Sequence, residues 1–457
     1  MPLPGKMRKK KPTPKSPLKS RVALASLGCS KNLVDSEILL AHLVSSGFTI
    51  TASAEDADAV IVNTCGFIAP AVEESEEVIA KFARSRKCGR LKRLAVVGCL
   101  AERSGRVLLE KFPEIDILIG ALTPERLLRL SRALALDESA GGVEPYRVDW
   151  TSRLRLTPSH YSYLRIADGC DNQCGYCMIP AIRGPYRSRP MKELIEEANL
   201  LANSGVVELN IIAQDTTNYG RDLPEARPTI VDLLRALAEI DKLHWIRLLY
   251  THPAHFSDEL VSFLSLGGKV IPYVDLPLQH ISDRILSAMG RGVTKSEIKR
   301  LIGKIRRTIP RAVLRTTFIV GLPGETEAEF AELLEFVEET RFERLGSFVY
   351  SPEAATPASA MSGQVPEEVK LERRDRLMRL EQSMLFEMNL RVVGKVVTAL
   401  VDSGPDDEGL FRARTYADAP EVDTEVLVSG KNVSPGSFVR ARVTGQKGYD
   451  LLAEKVA

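Results

Sequence analysis

Residues 169–177 read GCDNQCGYC, which places Cys170, Cys174 and Cys177 in the spacing CxxxCxxC. A closed tetrahedral metal site needs four ligands, and neither a second cysteine pair nor a nearby histidine supplies the fourth. Three thiolates can instead bind three irons of a four-iron cluster and leave the last iron open to a ligand. A structural zinc site completed by a distant residue is the alternative. Zinc ribbons usually carry paired CxxC units, so the spacing favours the cluster.

The stretch lies just beyond residues 163–166 (YLRI), which read as a strand. Further strand-like runs follow at 207–212 (VELNII), 245–249 (WIRLL), 270–274 (VIPYV), 314–320 (LRTTFIV) and 346–350 (GSFVY). Helical stretches separate most of them. Six βα units predict a partial barrel, not a closed eightfold one, with its active site on the loops after the strands. The three cysteines sit on the first of those loops.

Upstream, short apolar runs at 22–26, 59–63, 94–98 and 116–120 alternate with helical patterns such as 35–45 and 71–84. This alternation predicts an open parallel α/β sheet. Cys29, Cys65 and Cys99 each follow one of these strands and precede a helix. In an open parallel sheet such loops converge on one crevice, and a helix N-terminus favours a thiolate. Three thiolates from three loops can thus meet at a second cluster. Three buried cysteines packed as small apolar residues are the alternative. Cys88, in the polar stretch ARSRKCGRLKR, reads as an incidental thiol.

Beyond a long charged helix near 366–391 the composition turns β-rich, with runs at 396–401, 424–428 and 438–443. These predict a small antiparallel barrel. The expected organisation is a disordered basic tail over 1–20, an N-terminal domain over 21–137, a connection within 136–155, a barrel over 156–385 and the small β-barrel over 386–457. The tail carries seven Lys/Arg and no acid, leaving 55 basic against 60 acidic residues in the body. No apolar run spans a bilayer and no signal-peptide core follows the basic tail, so a cytoplasmic protein with no membrane partner is expected. The chain has seven cysteines in 457 residues, which fits metal ligation in a reducing compartment better than a disulfide scaffold.

With Tyr176 before the last cysteine, GCDNQCGYC resembles the radical S-adenosylmethionine (SAM) superfamily. The whole chain after the tail resembles its methylthiotransferase family: an N-terminal cluster domain, a radical SAM barrel and a TRAM domain. The stretches SLGCSKNLVDSE, NTCGFI, IIAQDTTNYG, LPLQH and FIVGLPGETE are similar to the branch that modifies a ribosomal protein. The resemblance implies two [4Fe-4S] clusters, one on Cys170, Cys174 and Cys177 and an auxiliary one on Cys29, Cys65 and Cys99. It implies SAM as cofactor, an external electron donor, and a two-step reaction. One SAM methylates sulfur held at the auxiliary cluster. A second is cleaved to a radical that removes a β-hydrogen from an aspartate of the decoding-centre small-subunit ribosomal protein, and methylthio transfer follows. The alternatives are a methylthiotransferase acting on tRNA adenosine and, more remotely, a zinc-holding nucleic-acid-binding protein.

Other residues read less sharply. Gly321, Gly324 and Gln214 end barrel strands and are candidates for the SAM pocket, against plain turns. Asp215 could reach SAM or substrate, or cap the next segment. His280 reads as a pocket residue or a satisfied polar contact. Arg183 and Arg187 could meet a carboxylate, but a solvated basic surface is the preferred reading. Residues 391–457 hold nine basic and ten acidic side chains, with acids clustered at 402–408 and 418–425. Such an acidic face would attract a basic ribosomal protein and repel RNA phosphate, making tRNA an unlikely partner.

Overall fold

The computed structural model describes residues 20–135, 151–224 and 227–456. The basic tail and most of the expected connection lie outside the described residues.

Strands β1 (Arg21–Ser26), β2 (Thr49–Ile50), β3 (Ala59–Thr64), β4 (Arg93–Gly98) and β5 (Ile117–Ile119) form a parallel sheet in the order β2-β1-β3-β4-β5. Helices α1 (Ser30–Ser45), α2 (Ala69–Lys87), α3 (Cys99–Lys111) and α4 (Pro124–Leu134) cover it. β3 is buried along its whole length and β4 beyond Arg93, as both faces of a parallel sheet require. The strand order reverses between β1 and β3, and the crevice of such a sheet opens at the carboxyl ends there.

The second unit begins with β6 (Tyr161–Arg165) and the short antiparallel pair β7 (Ala167–Asp168) and β8 (Arg187–Ser188). It continues with β9 (Glu208–Ile212), β10 (Trp245–Leu248), β11 (Tyr273–Asp275), β12 (Val313–Val320) and β13 (Arg344–Val349). β6, β9 and β10 pair in parallel, as do β11, β12 and β13, and a single bridge from Ile246 to Val270 joins the halves. The result is the expected six-strand partial barrel. The run 270–274 contributes only its end as a strand, because Pro272 has no N–H to donate to a ladder.

The third unit follows the helix Glu367–Leu390. Strands β14 (Val396–Ser403), β15 (Phe411–Arg414), β16 (Val426–Ser429), β17 (Phe438–Lys447) and β18 (Asp450–Lys455) close a barrel in the order β14-β15-β16-β18-β17. The pairings are antiparallel except β16 with β18, which run parallel. The expected small antiparallel barrel is present, with one parallel pairing at this seam.

The charge reading of this module needs correction. Its acids at 418–425 do not form a free acidic face. Asp418 is buried against Arg344, and Asp423 accepts from the Tyr273 hydroxyl at 2.5 Å and lies 3.5 Å from Arg315. Glu421 accepts from Tyr161 at 3.0 Å, while Asp402 holds His160 at 2.7 Å. Arg414 spans Asp402 and Glu208 at 2.6 and 2.7 Å. These partners lie toward the N-terminal ends of the barrel strands, opposite the cysteine loop. The acids therefore dock the module onto the barrel. With Asp402, Asp418, Glu421, Asp423 and Arg414 so engaged, eight basic and six acidic residues of 391–457 remain.

Candidate active site

The N-terminal sheet presents its three cysteines where the topology requires. Cys29 precedes α1 as its N-cap, Cys65 follows β3, and Cys99 opens α3. Close backbone approach brings them together. A Cβ on Gly28 would lie 3.1 Å from Cys65 Sγ, and one on Gly66 would lie 2.7 Å from the Leu100 backbone. Asn32 ties the loops by donating to the carbonyls of Leu27 and Thr64 at 3.1 and 2.9 Å. Ser75 Oγ accepts from the Cys65 amide at 3.1 Å and donates to the Cys65 carbonyl at 3.0 Å. Burial pushes the Cys65 thiol up, and pushes Cys99 up to about 11 against the pull of Arg183.

The second triad occupies the loop after β7. Gly169 has φ +73°, and a Cβ there would sit 2.1 Å from the Pro185 carbonyl, so only glycine fits. The Cys170 amide donates to Gly184 at 3.1 Å, and the Gly175 amide to Met289 at 2.9 Å. Tyr176 packs against a buried cluster containing Ile285, Met289, Leu322 and Tyr350. Burial pushes Cys170 up to about 11 and Cys177 up to about 12. Arg291, buried, lies 3.7 Å from Cys174 Sγ and donates to the Pro277 carbonyl at 2.6 Å.

The segment that follows the second triad packs on Cys99 of the first. The short helix α5 (Ile179–Arg183) starts two residues after Cys177, and its Ile182 packs with Met178 on Cys99. Arg183 is not on a solvated surface. It is buried, with Nη2 donating to Asn32 and Asp35 at 2.7 and 2.9 Å and lying 3.5 Å from Cys99 Sγ. Its Nη1 reaches Asp168 at 3.2 Å. Arg187 is exposed, as expected. Cys88 is also exposed, at the C-terminal end of α2.

The donor chemistry suits a cluster. Tetrahedral zinc holds its sulfurs about 3.8 Å apart, given ~2.3 Å bonds. Among the described residues, the only three candidate ligands with donor atoms within 4.8 Å of one another are Asp215, His252 and His255. That trio makes a poor metal site. His255 Nδ1 already pairs with Asp215 at 2.7 Å, and His252 Nδ1 accepts from the Ala254 amide, which leaves the proton on Nε2.

The barrel mouth also offers what a polar cofactor needs. Gln214 Oε1, Asn218 Oδ1, His252 Nε2, Gln279 Oε1 and Arg291 Nε are buried without a protein partner. Gln214, Asn218, His252 and Gln279 come from segments directly after β9, β10 and β11, and Arg291 follows the helix Asp283–Ala288, on the side of the second triad. Buried polar atoms are normally satisfied, so this group fits SAM and a polar substrate. Asp215 both caps Thr217 at 3.0 Å and holds Asn172 of the cysteine loop at 3.0 Å. Gly321 and Gly324 sit differently. The Gly321 amide donates to Glu325 at 2.8 Å and the Gly324 amide to Gly363 at 2.7 Å. A Cβ on Gly321 would collide with Lys370 Cγ at 2.3 Å. His280 is fully buried near Glu325, and burial brings it down to about 4. Sequence reasoning missed His252, Gln279 and Arg291, because no local pattern distinguishes a barrel-mouth polar residue from a loop residue.

A six-strand partial barrel with CxxxCxxC on its first loop defines a radical SAM protein, and residues 164–337 match the Radical SAM superfamily. Residues 21–120 match Uncharacterized protein family UPF0004, and residues 393–456 the TRAM domain. Three proteins named ribosomal protein uS12 methylthiotransferase RimO are similar along nearly their whole length. That of Pelotomaculum thermopropionicum is 46% identical over 95% of this chain and 99% of its own. That of Clostridioides difficile is 43% identical over 95% and 98%. That of Geobacter sulfurreducens is 41% identical over 96% and 99%. The chain belongs to the RimO family of radical SAM methylthiotransferases, enzymes that use SAM and [4Fe-4S] clusters. The radical SAM methyltransferase TsrM of Kitasatospora setae shares the fold. With tryptophan and a SAM analog bound it superposes with a TM-score of 0.53 at 16% identity, over 84% of this chain and 79% of that one.

Proposed function

We propose that this chain transfers a methylthio group to the β-carbon of an aspartate in ribosomal protein uS12, using the two cysteine triads as cluster sites. The observation that carries this is the contact of Met178 and Ile182, next to one triad, with Cys99 of the other. A transfer between two centres needs such proximity. The relatives named above support uS12 as the substrate.

Cys170, Cys174 and Cys177 would hold the cluster that binds SAM, and Cys29, Cys65 and Cys99 the auxiliary cluster. Bound there, the clusters and SAM supply one-electron chemistry for a C–H bond too weakly acidic for any side-chain base. The residues of the chain position and shield it. Arg291 places a cation beside Cys174. Gln214 and His252 offer an acceptor and a donor at the mouth, where they would hold SAM or the target aspartate. Arg103 Nη2, donating to Glu353 at 2.6 Å, and Arg183, donating to Asp35 at 2.9 Å, close the seam between the N-terminal sheet and the barrel. The electron comes from an external donor, and the reaction takes place in the cytoplasm. Among the described residues no helix is long and apolar enough to cross a membrane.

The net charge of the C-terminal module does not choose between protein and tRNA, because its buried acids are spent on docking. The choice rests on the relatives. The test is anaerobic turnover of the reconstituted protein with SAM, a chemical reductant and either uS12 or tRNA, read by mass spectrometry. One methylthio group on a uS12 aspartate is expected. Modified tRNA adenosine with uS12 untouched would overturn the reading.

A further inference from the structure

Cys99 belongs to the N-terminal sheet, yet the cation beside it comes from the barrel. Arg183 Nη2 lies 3.5 Å from Cys99 Sγ while donating to Asn32 Oδ1 at 2.7 Å and Asp35 Oδ2 at 2.9 Å. Arg165 shares Asp35 at 2.5 Å, and Asp168 holds the other arm of Arg183 at 3.2 Å. Two guanidiniums thus face two carboxylates. The group is neutral before the sulfur is counted, and Nη2 has two hydrogens for three acceptors, so Cys99 Sγ meets a shared N–H and the nearby guanidinium charge, not a net charge of the cluster.

We infer that Arg183, supplied by the barrel of the same chain, is a positioning residue of the auxiliary site whose N–H orients the Cys99 sulfur and raises the reduction potential of the iron that Cys29, Cys65 and Cys99 carry. This rests on the reading of that triad as cluster ligands. Hydrogen bonds to ligating sulfur stabilise the reduced, more negative cluster, and partners beyond the ligands tune a metal centre. Burial strengthens the effect, because little water screens it. The planar fork is what lets one side chain serve Asp35, Asp168 and the sulfur together. A lysine ammonium is a point charge and cannot span all three. The same helix leads back to Cys177, so the residue that orients one site is tethered to the other.

The test uses the full chain with Cys170, Cys174 and Cys177 replaced by Ala, so that iron binds at the auxiliary site alone. Reconstituted with iron and sulfide, it is titrated potentiometrically by electron paramagnetic resonance. In that background Arg183→Lys should bind as much iron as the parent. At the parent's midpoint its reduced-to-oxidised ratio should fall about tenfold, a shift of ~59 mV for one electron. A double variant, Arg183→Gln with Asp35→Asn, removes one charge of each sign and should shift the same way. An unmoved midpoint and line shape in either iron-loaded variant would overturn the inference. So would loss of folding in both, since a structural salt bridge would then account for the residue. A parent that binds no iron would instead sink the cluster reading of the triad, and the inference with it.

Discussion

Glu353 accepts from Arg103 Nη2 at 2.6 Å, joining the end of the barrel to α3 across 250 residues of chain. The same carboxylate accepts from the Ala69 amide at 2.9 Å, at the start of α2. One buried acid thus holds two helices of the N-terminal sheet against the barrel mouth. Glu353→Ala would leave Arg103 largely buried and unpaired, which costs about 3–5 kcal/mol. Thermal unfolding should show that loss, and Glu353→Met with Arg103→Met should recover part of it. Equal destabilisation by the single and double variants would contradict the pairing.

The two triads should separate by function. Cys170→Ala, Cys174→Ala or Cys177→Ala should abolish SAM cleavage and remove about four irons per chain, one cluster's worth. Cys29→Ala, Cys65→Ala or Cys99→Ala should lose similar iron yet keep SAM cleavage measurable while blocking methylthio transfer. Full product from the second set would refute the auxiliary assignment.

Cluster loading should depend on pH. Burial raises the Cys65 thiol, and pushes Cys99 and Cys170 up to about 11 and Cys177 up to about 12. Ligation must therefore release protons from neutral thiols. Reconstitution followed by cluster absorbance should become faster and more complete from pH 7 to pH 9. A pH-independent yield would count against buried thiols as the ligands.

Glu381 offers a stability test with a definite sign. It is buried with Oε2 lacking a partner, and burial lifts it to about 7, with Asp423 adding and Arg344 opposing. The folded chain therefore prefers the neutral acid. Its contribution is full below the ordinary value of 4.5 and is lost as pH rises toward 7. At pH 8 the charged form should cost about 3 kcal/mol at most. Glu381→Gln should raise the melting temperature at pH 8 and leave it unchanged at pH 4.5. A stabilisation equal at both pH values would disprove the linkage.

Asp407 and Glu408 are exposed on the C-terminal module, whereas Asp406 closes its own turn by accepting from the Glu408 and Leu410 amides at 3.0 and 2.9 Å. Asp407→Lys with Glu408→Lys should weaken binding of basic uS12 severalfold in a salt-dependent way and spare SAM cleavage. Unchanged affinity at low salt would remove this patch from the docking surface.

The local chemistry was legible in the chain itself. CxxxCxxC after a strand raises the expectation of an open cluster site because ligand spacing is a local property. Apolar runs separated by helical periods announce the parallel sheets, since period and burial are written residue by residue. β15 and β18 escaped notice because Phe411–Arg414 alternates with two arginines and offers no apolar run, and Asp450–Lys455 is polar at both ends. What only the tertiary structure decided are the contacts between distant segments. Nothing near Arg183 announces Cys99, which lies 84 residues away. The acids at 418–425 read as a solvated face until Arg315, Arg344, Tyr161 and Tyr273 meet them. The physical reason is common to both cases. A charge is indifferent to its sequence neighbours once a buried partner of opposite sign, brought by the fold, lowers its energy more than water does.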